Sequence, residues 1–197
     1  MNRQRTARAR GFTLTELMVV VVIVGVLSTI GIAGFRARIF GAKSAEASAM
    51  VQSIRAAQER HRAENLMYLN VSTAWYPAAP GGRVKRSFFA AGTCSDLGSD
   101  DCRWKALNPA VPGPVEFSYR VNAGTPSQNM TEPEATCRPT GWSSWPTTQT
   151  GNGFSAGANS EHWYVVQAAA DVDSDGVFAC FVASSRTPNV LAFREGE

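Results

Sequence analysis

Residues 11–35 read GFTLTELMVVVVIVGVLSTIGIAGF, and this stretch decides what kind of chain this is. From Leu17 to Phe35 no residue is charged, and Val, Ile, Leu and Met predominate. As an α-helix rising about 1.5 Å per residue, the run nearly covers a bilayer hydrocarbon core. Upstream, Arg3, Arg5, Arg8 and Arg10 stand in a leader without acids, so the leader is expected on the cytoplasmic side and the rest outside. An ordinary secretory signal is cut after its apolar region, at small residues. Here Arg36, Arg38 and Lys43 follow, with no A-x-A site close behind. The pattern predicts an uncleaved anchor, or a leader cut before the apolar run. Glu16 is the one carboxylate at the head of that run, and an acid at the edge of a membrane helix is costly enough to imply a function. A cut between Gly11 and Phe12 would place the new ammonium of Phe12 within one helical turn of Glu16. The ammonium of a neighbouring copy would serve equally well.

The string GFTLTELMVVVVIVGVL resembles the class III leader and N-terminal helix of type IV pilins and type II secretion pseudopilins. The resemblance covers roughly residues 8 to 60 and is dense over 11–35. It implies that a prepilin peptidase cuts after Gly11 and methylates Phe12, and that Glu16 registers subunits during assembly. It further implies an inner-membrane assembly platform as partner, and polymerisation with itself and other pilins. Location would be the inner membrane first, then an extracellular pilus or a periplasmic pseudopilus. Two departures stand out. Thr15 occupies a position where the family usually has a branched apolar residue. Ala33-Gly34 stands where a late proline is common, and proline would kink the helix. Gly25, Gly31 and Gly34 each weaken a helix by about 1 kcal/mol relative to alanine, which leaves local melting open.

The chain has 197 residues, enough for one domain plus an anchor. Its formal charge of +3 comes from the leader; without those four arginines, fifteen basic and sixteen acidic residues remain. Net charge therefore gives no reason to expect a nucleic-acid partner. The basic cluster Arg83-Val84-Lys85-Arg86 reads as a solvated loop. Cys94, Cys102, Cys137 and Cys180 all lie in the exported part, and an even number there predicts two disulfides. Three connectivities exist; the set favoured joins Cys94 to Cys102 across a short loop and Cys137 to Cys180. Without C-x-x-C spacing or a histidine near a cysteine, zinc fits poorly.

Past Phe35, good helix formers continue without a proline until Pro77. One helix from about Thr13 to Leu66 would be about 80 Å long. Ile39, Ala42, Ala49, Met50, Ser53, Ile54 and Ala57 form the stripe expected to pack on a sheet. Arg55 with Glu59, and Arg60 with Glu64, are spaced for i, i+4 pairs on the wet side. The organisation expected is a leader (1–11), an N-terminal helix (12–66, with 17–35 membrane-spanning) and an exported β-rich domain (67–197). SFFAAG, VEFSYRVNAG, HWYVVQAAA and VFACFVASS read as strands, WYPAAPGG as a loop, and Thr125 to Asn159 as a long exposed loop partly held by Cys137. The fold class is α+β and pilin-like: a long N-terminal helix on a small antiparallel sheet of three or four strands, with disulfide-held loops.

Three further motifs carry chemistry. Asp171, Asp173 and Asp175, followed by Gly176, resemble the opening of a calcium loop. Val182 stands where a bidentate glutamate belongs, so it is no EF-hand, and a tight hairpin explains the same residues with or without calcium. Gly153-Phe154-Ser155-Ala156-Gly157 matches a nucleophile-elbow pattern but lacks the flanking strand and helix, and His162 precedes Asp171 where a triad histidine would follow the acid. No enzyme is expected. Trp142, Trp145 and Trp163 read as core beneath a loop rather than as a binding surface. The function implied is a structural subunit of a type IV pilus. The alternatives are a type II secretion pseudopilin and a membrane-anchored binding module that never polymerises.

Overall fold

The computed structural model describes residues 11–81, 84–130, 133–137 and 160–194. The chain divides into two units, Met1–Ile39 and Phe40–Glu197. Helix α1 (Leu14–Asn65) begins in the first and ends in the second.

Within the first unit, the span Leu14–Ile32 is long and apolar enough to cross a membrane, and none of it is buried. Its large side chains, from Leu17 through Val26 and Leu27 to Phe35, are all exposed.

The second unit is α+β. Strands β1 (Ser72–Tyr76), β2 (Ser118–Gly124), β3 (Trp163–Ala170), β4 (Ala179–Ser184) and β5 (Leu191–Phe193) form one antiparallel sheet in chain order. Alternation along the strands divides the side chains between two cores. Tyr164, Val166, Ala168 and Ala170 of β3, with Ala179, Phe181 and Ala183 of β4, join the core that contains α1. Trp163, Val165, Ala169, Cys180 and Val182 point the other way and pack with Met130 and Cys137. Every residue of β3 is consequently buried. Gly124 pairs with Trp163, and a Cβ at Gly124 would lie 2.4 Å from the indole, so only glycine fits there.

The helix face that packs on the sheet shares Met50, Ile54 and Ala57 with the expected stripe and otherwise departs from it. Ala47, Met50, Val51, Ile54, Ala57 and Gln58 are buried, whereas Ile39, Ala42 and Ala49 are exposed. Alanines surround this helix, so the face is set by the larger residues, each contributing about 1.5–3 kcal/mol when fully buried. Nor do the two arginines pair with Glu59 and Glu64. The Arg55 guanidinium donates to the carbonyls of Thr187 (2.7 Å) and Pro188 (2.6 Å), and Arg60 donates to those of Leu107 and Asn108. Glu59 instead accepts from the Tyr68 hydroxyl at 3.0 Å. Gln58, fully buried, donates to the Leu69 carbonyl (2.7 Å) and accepts from its N–H (3.0 Å), in place of a missing strand neighbour.

SFFAAG is not a strand. Only Arg86 bridges Val115 there, and Phe88 joins an aromatic cluster with Tyr76, Trp104 and Tyr119. Trp104 comes from α2 (Asp100–Leu107), a helix that the strand reading overlooked, and it is fully buried. Ser99 caps α2, and Asp101 pairs with Lys105 at 3.0 Å across one turn. Burial, with the Asp101 hydrogen bond second, pushes the Tyr76 hydroxyl up to about 12; that same hydroxyl is the main reason the Asp101 carboxyl lies below its usual range. Among the described residues the sheet has five strands rather than three or four, because β1 and the three-residue β5 were not anticipated.

The described part of the segment after Thr125 is not an exposed loop throughout. Met130 and Cys137 pack in the outer core and Pro133 is buried, with a 3-10 turn at Ala135–Cys137. Trp142, Trp145 and the Gly153–Gly157 motif lie outside the described residues.

Candidate functional site

Glu16 sits in the first turn of α1, three residues after Thr13. The Thr13 N–H donates to Glu16 Oε2 at 3.1 Å, the Thr13 hydroxyl donates to the same oxygen at 2.9 Å, and the Glu16 N–H donates back to Thr13 Oγ1 at 3.3 Å. This reciprocal pair is a capping box. It satisfies two N–H groups that the helix start leaves open. The Thr15 hydroxyl lies 3.2 Å from that of Thr13. The polar tip therefore consists of Thr13, Thr15 and Glu16, with Phe12 beside it and 79% exposed. Thr13 was missed as a site residue, although T-x-x-E spacing before an apolar run is a readable signal. Gly11 precedes the helix, and among the described residues nothing lies within 4 Å of a Cβ built on it.

The second cluster is the turn between β3 and β4. Asp171 Oδ1 accepts from the N–H groups of Ser174 (2.7 Å) and Asp175 (3.2 Å), and Oδ2 accepts from Gly176 (3.1 Å). Asp173 and Asp175 accept from backbone N–H groups two residues on. Ser174 and Gly176 both adopt positive φ, at 69° and 87°. One ligand oxygen from each of Asp171, Asp173 and Asp175 can be chosen so that all lie within 4.8 Å of one another, close enough for one cation to touch all three. Asp171 nevertheless already works as an internal cap for the turn. Asp171→Ala should therefore cost about 2 kcal/mol, since three N–H groups lose a charged acceptor. Urea unfolding with and without the substitution checks this.

The bridges join Cys94 to Cys102 and Cys137 to Cys180. The first ties a surface loop to α2; the second fastens the 3-10 turn to β4 over the outer core.

An exposed apolar helix with a capped acid at its head, and a disulfide-braced α+β unit carrying the rest of the chain, together define a pilin-like protein. The family model for the prokaryotic N-terminal methylation motif matches residues 6–32. Over 143 residues the chain is 31% identical to the type IV major pilin protein PilA of Myxococcus xanthus (strain DK1622). That match covers 72% of this chain and 64% of the relative, so the chain spans less than two thirds of the relative's length. No solved structure matches the chain. Together these two similarities support a type IV pilin family for the chain, with a class III leader at its start.

Proposed function

We propose that this chain is a structural subunit of a type IV pilus, cut between Gly11 and Phe12 by a prepilin peptidase, methylated on Phe12 and polymerised through its N-terminal helix. The supporting observation is the span Leu14–Ile32, apolar on every side and entirely unburied, headed by the Thr13–Glu16 cap. Lipid can cover such a surface before assembly, and sister helices can cover it afterwards. Because sister helices replace lipid rather than water, cohesion comes from close side-chain packing and from pairing of the polar tips. Phe12 and Glu16 bring the two charges of an ammonium–carboxylate pair to the same end of each copy. A filament pairing them between neighbours gains direction as well as cohesion, because an unpaired acid in a dry bundle is costly. The assembly platform in the inner membrane would draw the subunit out of the bilayer, and the filament would serve motility or adhesion.

Two measurements test this reading. The intact mass of the mature protein should equal residues 12–197 with one methylene added and the hydrogens of both disulfides removed. A mature chain beginning at Met1, or at another residue downstream of Phe12, defeats the proposed processing. Sheared surface filaments should contain the protein in abundance. Its absence there would favour the second reading, a type II secretion pseudopilin, which the close approach of Asp171, Asp173 and Asp175 supports because calcium recurs in that subfamily.

A further inference from the structure

We propose that the Cys94–Cys102 bridge is a redox-active element that opens and recloses by exchange with a dithiol while the rest of the domain stays folded.

The two bridges differ in access. Cys94 is exposed and Cys102 half-buried, whereas Cys137 and Cys180 are both fully buried, among Met130, Trp163, Val165 and Val182. An attacking thiolate must reach a sulfur along the S–S axis, so the first bridge is open to solvent reagents and the second requires local unfolding. In the exchange, one thiolate of the dithiol attacks Cys94 Sγ and the Cys94–Cys102 bond breaks, releasing Cys102 as thiolate. The second sulfur of the dithiol then attacks its partner in the mixed disulfide and frees Cys94. Two electrons pass from the dithiol, which ends as a disulfide, and its two protons end on Cys94 and Cys102. The leaving sulfur belongs to the third residue after the Ser99 cap of α2, where helix N–H groups favour a thiolate. Asp100 and Asp101 oppose this, but each is paired, with Arg103 at 3.3 Å and Lys105 at 3.0 Å.

Other contacts hold this region alongside the bridge. Arg103 Nε donates to the Leu97 carbonyl at 2.8 Å, and the Gly98 N–H donates to Asp96 Oδ1 at 2.9 Å. Helix α2 remains anchored by the buried Trp104 and Leu107 and capped through the Cys102 N–H to Ser99 Oγ. The opened thiols thus stay close, which favours reclosure.

The test uses full-length protein in detergent, treated with dithiothreitol, quenched with iodoacetamide at timed intervals and mapped by peptide mass spectrometry. Cys94 and Cys102 should be labelled about tenfold faster than Cys137 and Cys180, or more, as expected when only the latter need an opening step. The near-ultraviolet dichroism of the buried tryptophans should persist while they are labelled. Removing the reductant and adding oxidised glutathione should restore the first bridge. Labelling of both pairs together, labelling of Cys137 and Cys180 first, loss of the tryptophan signal with the first pair, or failure to reclose would each overturn the proposal.

Discussion

Glu16→Ala should leave the protein in the membrane but cut its amount in sheared filaments at least tenfold, and Glu16→Gln should do the same. The pair of substitutions separates the two roles that the geometry gives this side chain. Thr13 and Glu16 cap the helix reciprocally. Glutamine can occupy the third position of a capping box, so Glu16→Gln keeps the cap and removes only the charge. Alanine removes both, and a lost cap costs about 1 kcal/mol. That loss frays one turn and leaves the long apolar surface of the span Leu14–Ile32 intact, so membrane insertion survives. Assembly is a different matter, because a neighbour's ammonium left without its counter-ion in a dry bundle is destabilised by several kcal/mol. A tenfold loss needs only about 1.4 kcal/mol per subunit addition. Normal filaments from Glu16→Gln would falsify the charge pairing, while a defect confined to Glu16→Ala would reduce Glu16 to a cap.

Legibility from the sequence followed the strength of each local pattern. The apolar run headed by Glu16 was plain because length, missing charge and a single acid coincide. Strands β2, β3 and β4 were plain because Val, Tyr and Phe cluster between turn residues. The hairpin tip was legible from Asp175-Gly176, which the structure places in the turn between β3 and β4. The helix face was legible in part: Met50, Ile54 and Ala57 of the expected stripe are buried, but Ile39, Ala42 and Ala49 are exposed, since alanine marks no side of a helix, and Val51 and Gln58 complete the face. Helix α2 was overlooked although Ser99, Asp100, Asp101 and Lys105 form a readable start and finish. The aromatic pair Phe88-Phe89 drew attention as a strand, when Phe88 instead packs on Trp104 from that helix. The clamps made by Arg55, Gln58 and Arg60 reach carbonyls distant in sequence, so spacing along the helix could not reveal them. Local spacing suggested i, i+4 pairs, and tertiary hydrogen bonds displaced them.

Lys43→Met should destabilise the domain by about 3–5 kcal/mol, and adding Glu116→Leu should recover most of that loss. Lys43 Nζ lies 2.6 Å from Glu116 Oε1, and the glutamate side chain is only 3% exposed against 19% for the lysine. Removing the lysine leaves a nearly buried carboxylate without its counter-ion. Removing both charges leaves an apolar pair of similar volume, which such sites commonly tolerate without net loss. A neighbouring ion pair provides the contrast. Lys85 meets Glu46 at 3.1 Å but is 54% exposed. Lys85→Met should therefore change stability by no more than about 0.5 kcal/mol, as for exposed pairs generally. Both pairs join α1 to the Arg86–Val115 bridge region, so they differ in burial far more than in position. Urea unfolding of the three variants and the parent, followed by tryptophan fluorescence, measures the difference. Equal effects from Lys43→Met and Lys85→Met would mean that water reaches Glu116 in solution, and the distinction between a buried and a surface ion pair would disappear.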